Sequence, residues 1–473
     1  MSASLNAGVA SPPMTARAKG ALLVLCGAIF LEGIDVAMLN VALPAIRAEL
    51  GLSTTTLGAV VSAYVLGYAG FMLLGGRAAD IFGKRRVFLA ALAVFIAFSG
   101  LGGFATEGWM LLAARFVTGV ASAFMTPAGL ALITTNFPEG PQRNKAVLIY
   151  AGTAAAGFSL GLVAGGLLAA INWRWVFFAP VILAGIIFIL TPRLVSDDGQ
   201  KERSQKFDVP GAITLTGAML LAAYAVTRLE HPGEDLNWTL GAVAASAVLW
   251  VLFVAIESNS RSPLVRLGIL RSASLLRANF GALLFAGSFF GFQFLVSLYL
   301  QELMGWTPLQ TSLALLAIGV DAILAPTVTP WLVNRFGNLR VVLGGFLLAA
   351  ASYALFLRVG LDWTYAAMFP SMILLGLAFS LAYGPLTILA TDGIDESEQG
   401  LAGGLVNTAF QFGAALGLSA ASAVSVLALT GDASPDARLE ALRLALLVPV
   451  AATVLGVFVA STGLGSSRRR ATA

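Results

Sequence analysis

Glu32 and Asp35 stand three residues apart inside a long apolar run, a spacing that puts two carboxyl groups on one side of a helix. Held away from water, a carboxylate binds a proton more tightly than it does in solution, so this pair is suited to taking up and releasing protons. Arg115 is the single base inside an apolar stretch. It lies about 9 Å from the start of its stretch, and Asp35 about 8 residues from the matching end of its own, at roughly 1.5 Å per residue. Their depths agree, so Arg115 is expected to neutralise Asp35 and to share in handling the proton. A third acid, Asp321, falls deep in a later stretch with no base at its depth. Three acids against one base leave a negative interior, which favours a lipophilic cation as its occupant. On this reading Asp35→Asn, having no buried charge to compensate, is expected to fold normally and to fail only in proton coupling.

Uncharged groups extend the candidate site. Gln293, Asn407 and Gln411 are amides in apolar stretches, where such groups prefer the protein interior, and they are expected to line a cavity. The aromatic run Phe289, Phe290, Phe292, Phe294 and Tyr299 can line the same cavity or face lipid and other helices. Gly157-Phe-Ser159-Leu-Gly161 fits the hydrolase nucleophile elbow as letters, but that device needs a strand, a tight turn and a nearby histidine. Ser159 falls in a helical run, and His231 in a distant polar loop. A membrane-embedded serine hydrolase is therefore only a distant alternative. Gly100-Leu-Gly102-Gly-Phe-Ala105 lacks the strand that a dinucleotide fingerprint requires. One cysteine, Cys26, and one histidine exclude an internal disulfide and a Cys/His metal cluster. No catalytic residue, metal or cofactor is expected.

The elements that hold these residues follow from composition. Of 473 residues, 58% are hydrophobic and 11% charged, against roughly 45–50% and about 25% in soluble domains. Too little charge remains to cover a soluble surface. Fourteen apolar stretches, from 21–41 to 440–462, come near the about 20 residues that a membrane span needs. The first, Ala21–Leu31 with Arg17 and Lys19 before it, resembles a secretory signal, but the pattern continues to Val41 and reads as a retained span. The fold class is all-α, a polytopic membrane protein. An even number of spans puts both termini on one side, where 21 of the 28 Lys and Arg residues fall. By the positive-inside rule that side is cytoplasmic and the protein lies in the cell membrane. The same scatter of bases through short loops argues against nucleic acid as a partner.

An internal repeat organises the chain. Gly76-Arg-Ala-Ala-Asp80-Ile-Phe-Gly83-Lys-Arg85-Arg86 after the second stretch answers Pro330-Trp-Leu-Val-Asn334-Arg-Phe-Gly337-Asn-Leu-Arg340 after the tenth, with the glycine, the Asp/Asn and the last Arg in register. Two six-helix bundles, residues 20–192 and 258–465, are expected to flank a linker with two inserted helices at 193–257. Tails of 1–19 and 466–473 complete the chain. Parallel repeats of this kind place a substrate site between the halves, near the midplane.

The segment Gly75 to Arg86 resembles the signature loop of the major facilitator superfamily. Ile34-Asp35-Val-Ala-Met-Leu-Asn40-Val-Ala-Leu-Pro44 is similar to the first-span motif of its fourteen-span drug:proton antiporter branch, with Ala37 where that branch usually has Thr. Trp173-Arg174-Trp175 and Gly400-Leu-Ala-Gly-Gly-Leu-Val-Asn407 extend the resemblance over nearly the whole chain. Arg115 to Gly119 resembles the span 4 motif in which the Arg takes part in proton transfer, with Thr118 in place of Gln. Gly157, Gly161, Gly165 and Gly166 match the antiporter motif's glycines, while Leu162 replaces its proline. The resemblance implies proton-coupled export of amphipathic small molecules by alternating access, with a proton-coupled uptake symporter as the alternative. It implies a monomer working in the bilayer. Gly76, Asp80, Gly83, Arg85 and Arg86 would form a latch, Asp80 pairing with an Arg or facing a helix N-terminus.

Overall fold

The computed structural model describes residues 14–52, 54–137, 140–196, 208–228, 236–260, 263, 265, 267–395, 398–428 and 434–470. The first eight helices are α1 (Ala16–Leu50), α2 (Thr54–Phe82), α3 (Lys84–Gly103), α4 (Gly108–Asn136), α5 (Pro141–Ile171), α6 (Trp175–Leu194), α7 (Val209–Arg228) and α8 (Leu236–Asn259). The second set is α9 (Ala273–Leu298), α10 (Pro308–Leu315), α11 (Asp321–Phe336), α12 (Asn338–Phe356), α13 (Tyr365–Thr391), α14 (Gln399–Ala428), α15 (Pro435–Ala445) and α16 (Leu447–Arg470). No strand occurs among the described residues. Thirteen helical segments among them are long and apolar enough to cross a membrane. The remaining one of the fourteen expected, α7, contributes the shorter apolar stretch Val209–Ala222.

Side chains of Leu23, Ile182, Ile186, Val251, Val454 and Phe458 point outward. Such a surface is stable against lipid and not against water. Inside, four apolar cores form among the described residues, two of them large. Leu25, Phe88, Phe95 and Ile133 sit in one, and Phe285, Phe292, Phe346, Tyr353 and Phe356 in the other. Gly20 packs on Leu194 near the end of α6, and Gly463 on Leu339 of α12 and Arg277 of α9.

The sequence repeat has a backbone counterpart. Gly83 joins α2 to α3 with φ 96°, and Gly337 joins α11 to α12 with φ 83°. Only glycine adopts such values without strain, which explains why the repeat keeps that residue in both halves.

Two expected spans are interrupted. The tenth is split between α10 and α11 by the 3-10 turn Leu316–Val320, against whose Ile318 carbonyl the bare Cα of Gly376 packs. The last is split between α15 and α16. Pro449 sits in the first turn of α16, and in a continuous helix its ring would clash with the carbonyl of Ala445.

The glycine seam joins α1 to α5. Gly157 packs on the backbone of Phe30, Gly161 on that of Ile34, and Gly165 on that of Met38. Gly166, off the seam, is half-buried. A Cβ at Gly161 would stand 2.8 Å from the Ala37 Cβ and 2.9 Å from the Ile34 Cα, and backbone cannot yield as a side chain can. Gly161→Ala is therefore expected to lower thermal stability in detergent by about 1–3 kcal/mol, the usual cost of overpacking. Gly185→Ala, with nothing within 4 Å, should leave the melting temperature unchanged or slightly raised. Equal effects at the two positions would refute the seam.

Candidate functional site

One turn of α1 carries two carboxylates into different surroundings. Asp35 turns toward α4, where its Oδ2 accepts a 2.6 Å hydrogen bond from Arg115 Nη1. Both side chains are almost wholly buried, at 2% and 3% exposure. The guanidinium also lies 4.3 Å from the centroid of the Tyr64 ring, which stacks on Tyr68 at 5.8 Å. The pair expected from depth is thus formed and sealed.

Glu32 meets α4 about three turns further along, at Thr126, and also reaches open space. Its Oε2 accepts a hydrogen bond from the Thr126 hydroxyl, and its side chain lines a cavity of about 270 Å³ between the two sets of helices. Tyr64, Tyr68 and Ser159 share its wall. The facing wall holds the three expected amides, Gln293, Asn407 and Gln411. Asn407 Oδ1 accepts from the Tyr383 hydroxyl at 3.3 Å, and its amide nitrogen donates to the Gly403 carbonyl at 2.9 Å.

Aromatic rings complete that wall. Phe379 packs 4.8 Å from Phe289 and 5.4 Å from Tyr383, and Tyr383 lies 4.8 Å from Phe410. Of the aromatic run on α9, Phe289 and Phe290 face the cavity. Phe292 is buried against Tyr353 and Phe356 instead, Tyr299 donates to the Gly360 carbonyl, and Phe294 packs against the same core. Asp321 begins α11, directly after the turn whose Leu316 and Ile318 line the cavity. Its side chain lies outside the described residues, as do His231 and the Leu162 side chain. Ser159 stands on a continuous helix with its Oγ toward Gly319, not on a strand-turn-helix.

The latch residues meet the other half of the chain. Asp80 Oδ2 accepts a 3.2 Å hydrogen bond from the backbone N–H of Leu401, in the first turn of α14, where a helix's unpaired N–H groups favour an anion. The bare Cα of Gly76 packs on the Gly400 carbonyl. Of the two partners considered for Asp80, the helix N-terminus is the one that donates to it. Arg85 donates to the Val195 carbonyl at 3.1 Å, and Arg86 is exposed. On this face Leu73 joins the core of the second half and Ile388 that of the first, so the two halves pack together here. At the far end of α1, Glu49 accepts from Trp173 Nε1 at 2.7 Å and from the Arg174 guanidinium. The bonds from Arg174 and then Trp173 hold the Glu49 carboxyl below its ordinary range.

Thr126, Tyr68 and Tyr383 were not among the residues singled out from sequence. The only available signal was a hydroxyl inside an apolar stretch, and most such hydroxyls bond their own helix.

The sequence matches the family profile described as Major Facilitator Superfamily over residues 25–418. It is 33% identical over 416 residues to the puromycin resistance protein pur8 of Streptomyces alboniger, covering 85% of this chain and 81% of that one. It is 31% identical over 455 residues to the cephamycin export protein CmcT of Amycolatopsis lactamdurans, covering 92% and 93%. Among solved structures, the human organic anion transporter MFSD10 (TETRAN) superposes with a TM-score of 0.70 at 15% identity, covering 95% of this chain and 100% of that one.

Proposed function

Because the chain belongs to the Major Facilitator Superfamily, we propose that it exports amphipathic small molecules across the cell membrane by alternating access, exchanging each for protons. The observation that carries this reading is the cavity-facing carboxylate of Glu32, opposite a wall of aromatic rings and amides. A carboxyl group there can hold either a proton or a cationic substrate, and competition between the two is what exchange requires. The names of the relatives, a puromycin resistance protein and a cephamycin export protein, support export of antibiotic-like molecules.

Residues 20–192 and 258–465 rock against each other about the cavity, with α7 and α8 riding alongside in residues 193–257. The face with both termini is cytoplasmic, in keeping with its excess of Lys and Arg. Asp80 at the α14 N-terminus then closes the cytoplasmic side, and its bond breaks each time the cavity opens inward. Asp35 and Arg115 brace the helices around Glu32, which carries the proton. Lipophilic cations are the preferred substrates, since each cation–π contact contributes roughly 0.5–2 kcal/mol. One chain contains both halves and the cavity, so a monomer suffices.

The test uses everted membrane vesicles containing the protein, with tetraphenylphosphonium as probe. An acid interior is expected to drive uphill uptake of the probe and to lose protons as it does so, and a protonophore should abolish both. Uptake that persists after the proton gradient collapses, or probe moving in the same direction as protons, overturns export by exchange.

A further inference from the structure

Threonines inside these helices follow a common habit. Thr135, Thr153, Thr191 and Thr387 each donate to the carbonyl one turn back on their own helix, at 2.7–2.9 Å. That bond satisfies the hydroxyl without any neighbour. Thr126 departs from it. Its proton goes to Glu32 of α1, its oxygen accepts from the Tyr68 hydroxyl of α2 at 3.4 Å, and its backbone carbonyl accepts from the Tyr150 hydroxyl of α5 at 3.3 Å. Four helices meet at one residue that is 2% exposed.

We propose that Thr126, backed by Tyr68, is the positioning residue that sets when Glu32 binds and releases its proton. The inference rests on Glu32 being the proton carrier. A hydroxyl donates one hydrogen bond and accepts two. While Glu32 is ionised, Thr126 donates to it and accepts from Tyr68. When Glu32 is protonated on Oε2, the oxygen that faces Thr126, that O–H donates, and Thr126 accepts it only by turning its hydrogen away. The carbonyl of Ser122, one turn back on α4, stands where Thr135, Thr153, Thr191 and Thr387 find their own acceptors. Protonation therefore reverses a single hydrogen bond and leaves Tyr68 in place. Because a charge-assisted bond is the stronger of the two, the hydroxyl favours the ionised carboxylate until a proton arrives. Tyr68 lies two turns from Gly76 on α2, roughly 12 Å at 1.5 Å per residue, which places the switch on the helix that carries the latch.

Among the described residues, other charged and titratable groups facing Glu32 are few. Asp35, on its own helix, is bound to Arg115 of α4. The rest are the phenols Tyr64 and Tyr68 of α2, Tyr150 of α5 and Tyr383 of α13, a group that ionises near pH 10 in water. Between pH 5.5 and 9 the profile of proton release therefore reports on Glu32.

Tetraphenylphosphonium-driven proton release is measured over that range in proteoliposomes. Thr126→Val, of equal volume but without the hydroxyl, is expected to move the midpoint about one pH unit to the alkaline side. Thr126→Ser should restore the wild-type midpoint, and Tyr68→Phe should move it the same way by less. A lowered maximal rate with an unmoved midpoint in Thr126→Val, or a serine variant shifted as far as the valine, overturns the proposal. Should the valine variant fail to accumulate, an unmoved midpoint in Tyr68→Phe overturns it as well. Glu32→Gln separates the two levels. If that variant still releases protons, the assignment of the carrier fails. If it is silent while the Thr126→Val midpoint stays put, only the role of Thr126 fails.

Discussion

Glu32→Gln is expected to reduce gradient-driven accumulation of substrate to the level of vesicles without the protein, while its abundance in the membrane stays near wild type. Both halves of that expectation come from the surroundings of the residue. The amide oxygen of Gln can accept the Thr126 hydrogen bond as the carboxylate does, and Glu32 has no ion-pair partner among the described salt bridges. No charge is stranded by neutralising it. What is lost is the ability to bind and give up a proton, and with it the exchange. Downhill movement of substrate is expected to survive, because the aromatic and amide wall is untouched. Cationic substrates should also bind about 10-fold or more weakly, since a charge pair at 4 Å contributes up to about 4 kcal/mol near a protein surface and 1.4 kcal/mol is a factor of ten. Binding of neutral triphenylphosphine oxide, of similar shape, should change little. Loss of both probes alike would mean that Glu32 shapes the cavity without discriminating charge. Persistent accumulation would move the proton to another acid.

The reason this prediction centres on Glu32 could not have been read from spacing. Residues three apart on a helix differ by about 60° around its axis, enough to send one side chain into a cavity and the other into a neighbouring helix, and periodicity does not say which. The repeat was legible because its turns need glycine at Gly83 and Gly337, and the helices and the matched depths of Asp35 and Arg115 because each rests on a cost that lipid imposes on polar groups. The amides Gln293, Asn407 and Gln411 were found in the cavity for the same reason. Thr126 was not, because a threonine can satisfy itself on its own helix at no cost to insertion. Tyr68 and Tyr383 were hidden among thirty phenylalanines and eight tyrosines that are at home in apolar spans. The breaks at Leu316–Val320 and before α16 escaped a reading based on hydropathy, since both occur within uniformly apolar sequence. Pro449 was the visible sign of the second.

At Asp35 the geometry changes the outcome expected of the same chemical substitution. Asn at that position removes one charge from a pair whose members are 2% and 3% exposed, and Arg115 is left with its guanidinium in a pocket of Tyr64 and apolar helix faces. The Tyr64 ring at 4.3 Å contributes attraction but no countercharge. Arg115 Nε already has no hydrogen-bond partner. Breaking a buried pair by removing one partner costs roughly 3–5 kcal/mol, a large part of the about 5–15 kcal/mol by which proteins are usually stable. Asp35→Asn is therefore expected to accumulate poorly and to melt well below the wild type, unlike Glu32→Gln, and not merely to lose coupling. Arg115→Met should be destabilised comparably, through the stranded carboxylate. The double variant Asp35→Asn with Arg115→Met leaves no charge unpaired, and replacing a buried pair by neutral groups is often close to neutral. Thermal unfolding of the four proteins in detergent gives the coupling energy directly. A double variant that recovers stability yet remains uncoupled would show that the pair serves transport beyond bracing α1 against α4. Single variants as stable as the wild type would mean that Arg115 finds its countercharge elsewhere, and the sealed pair would lose its claim to hold the two helices together.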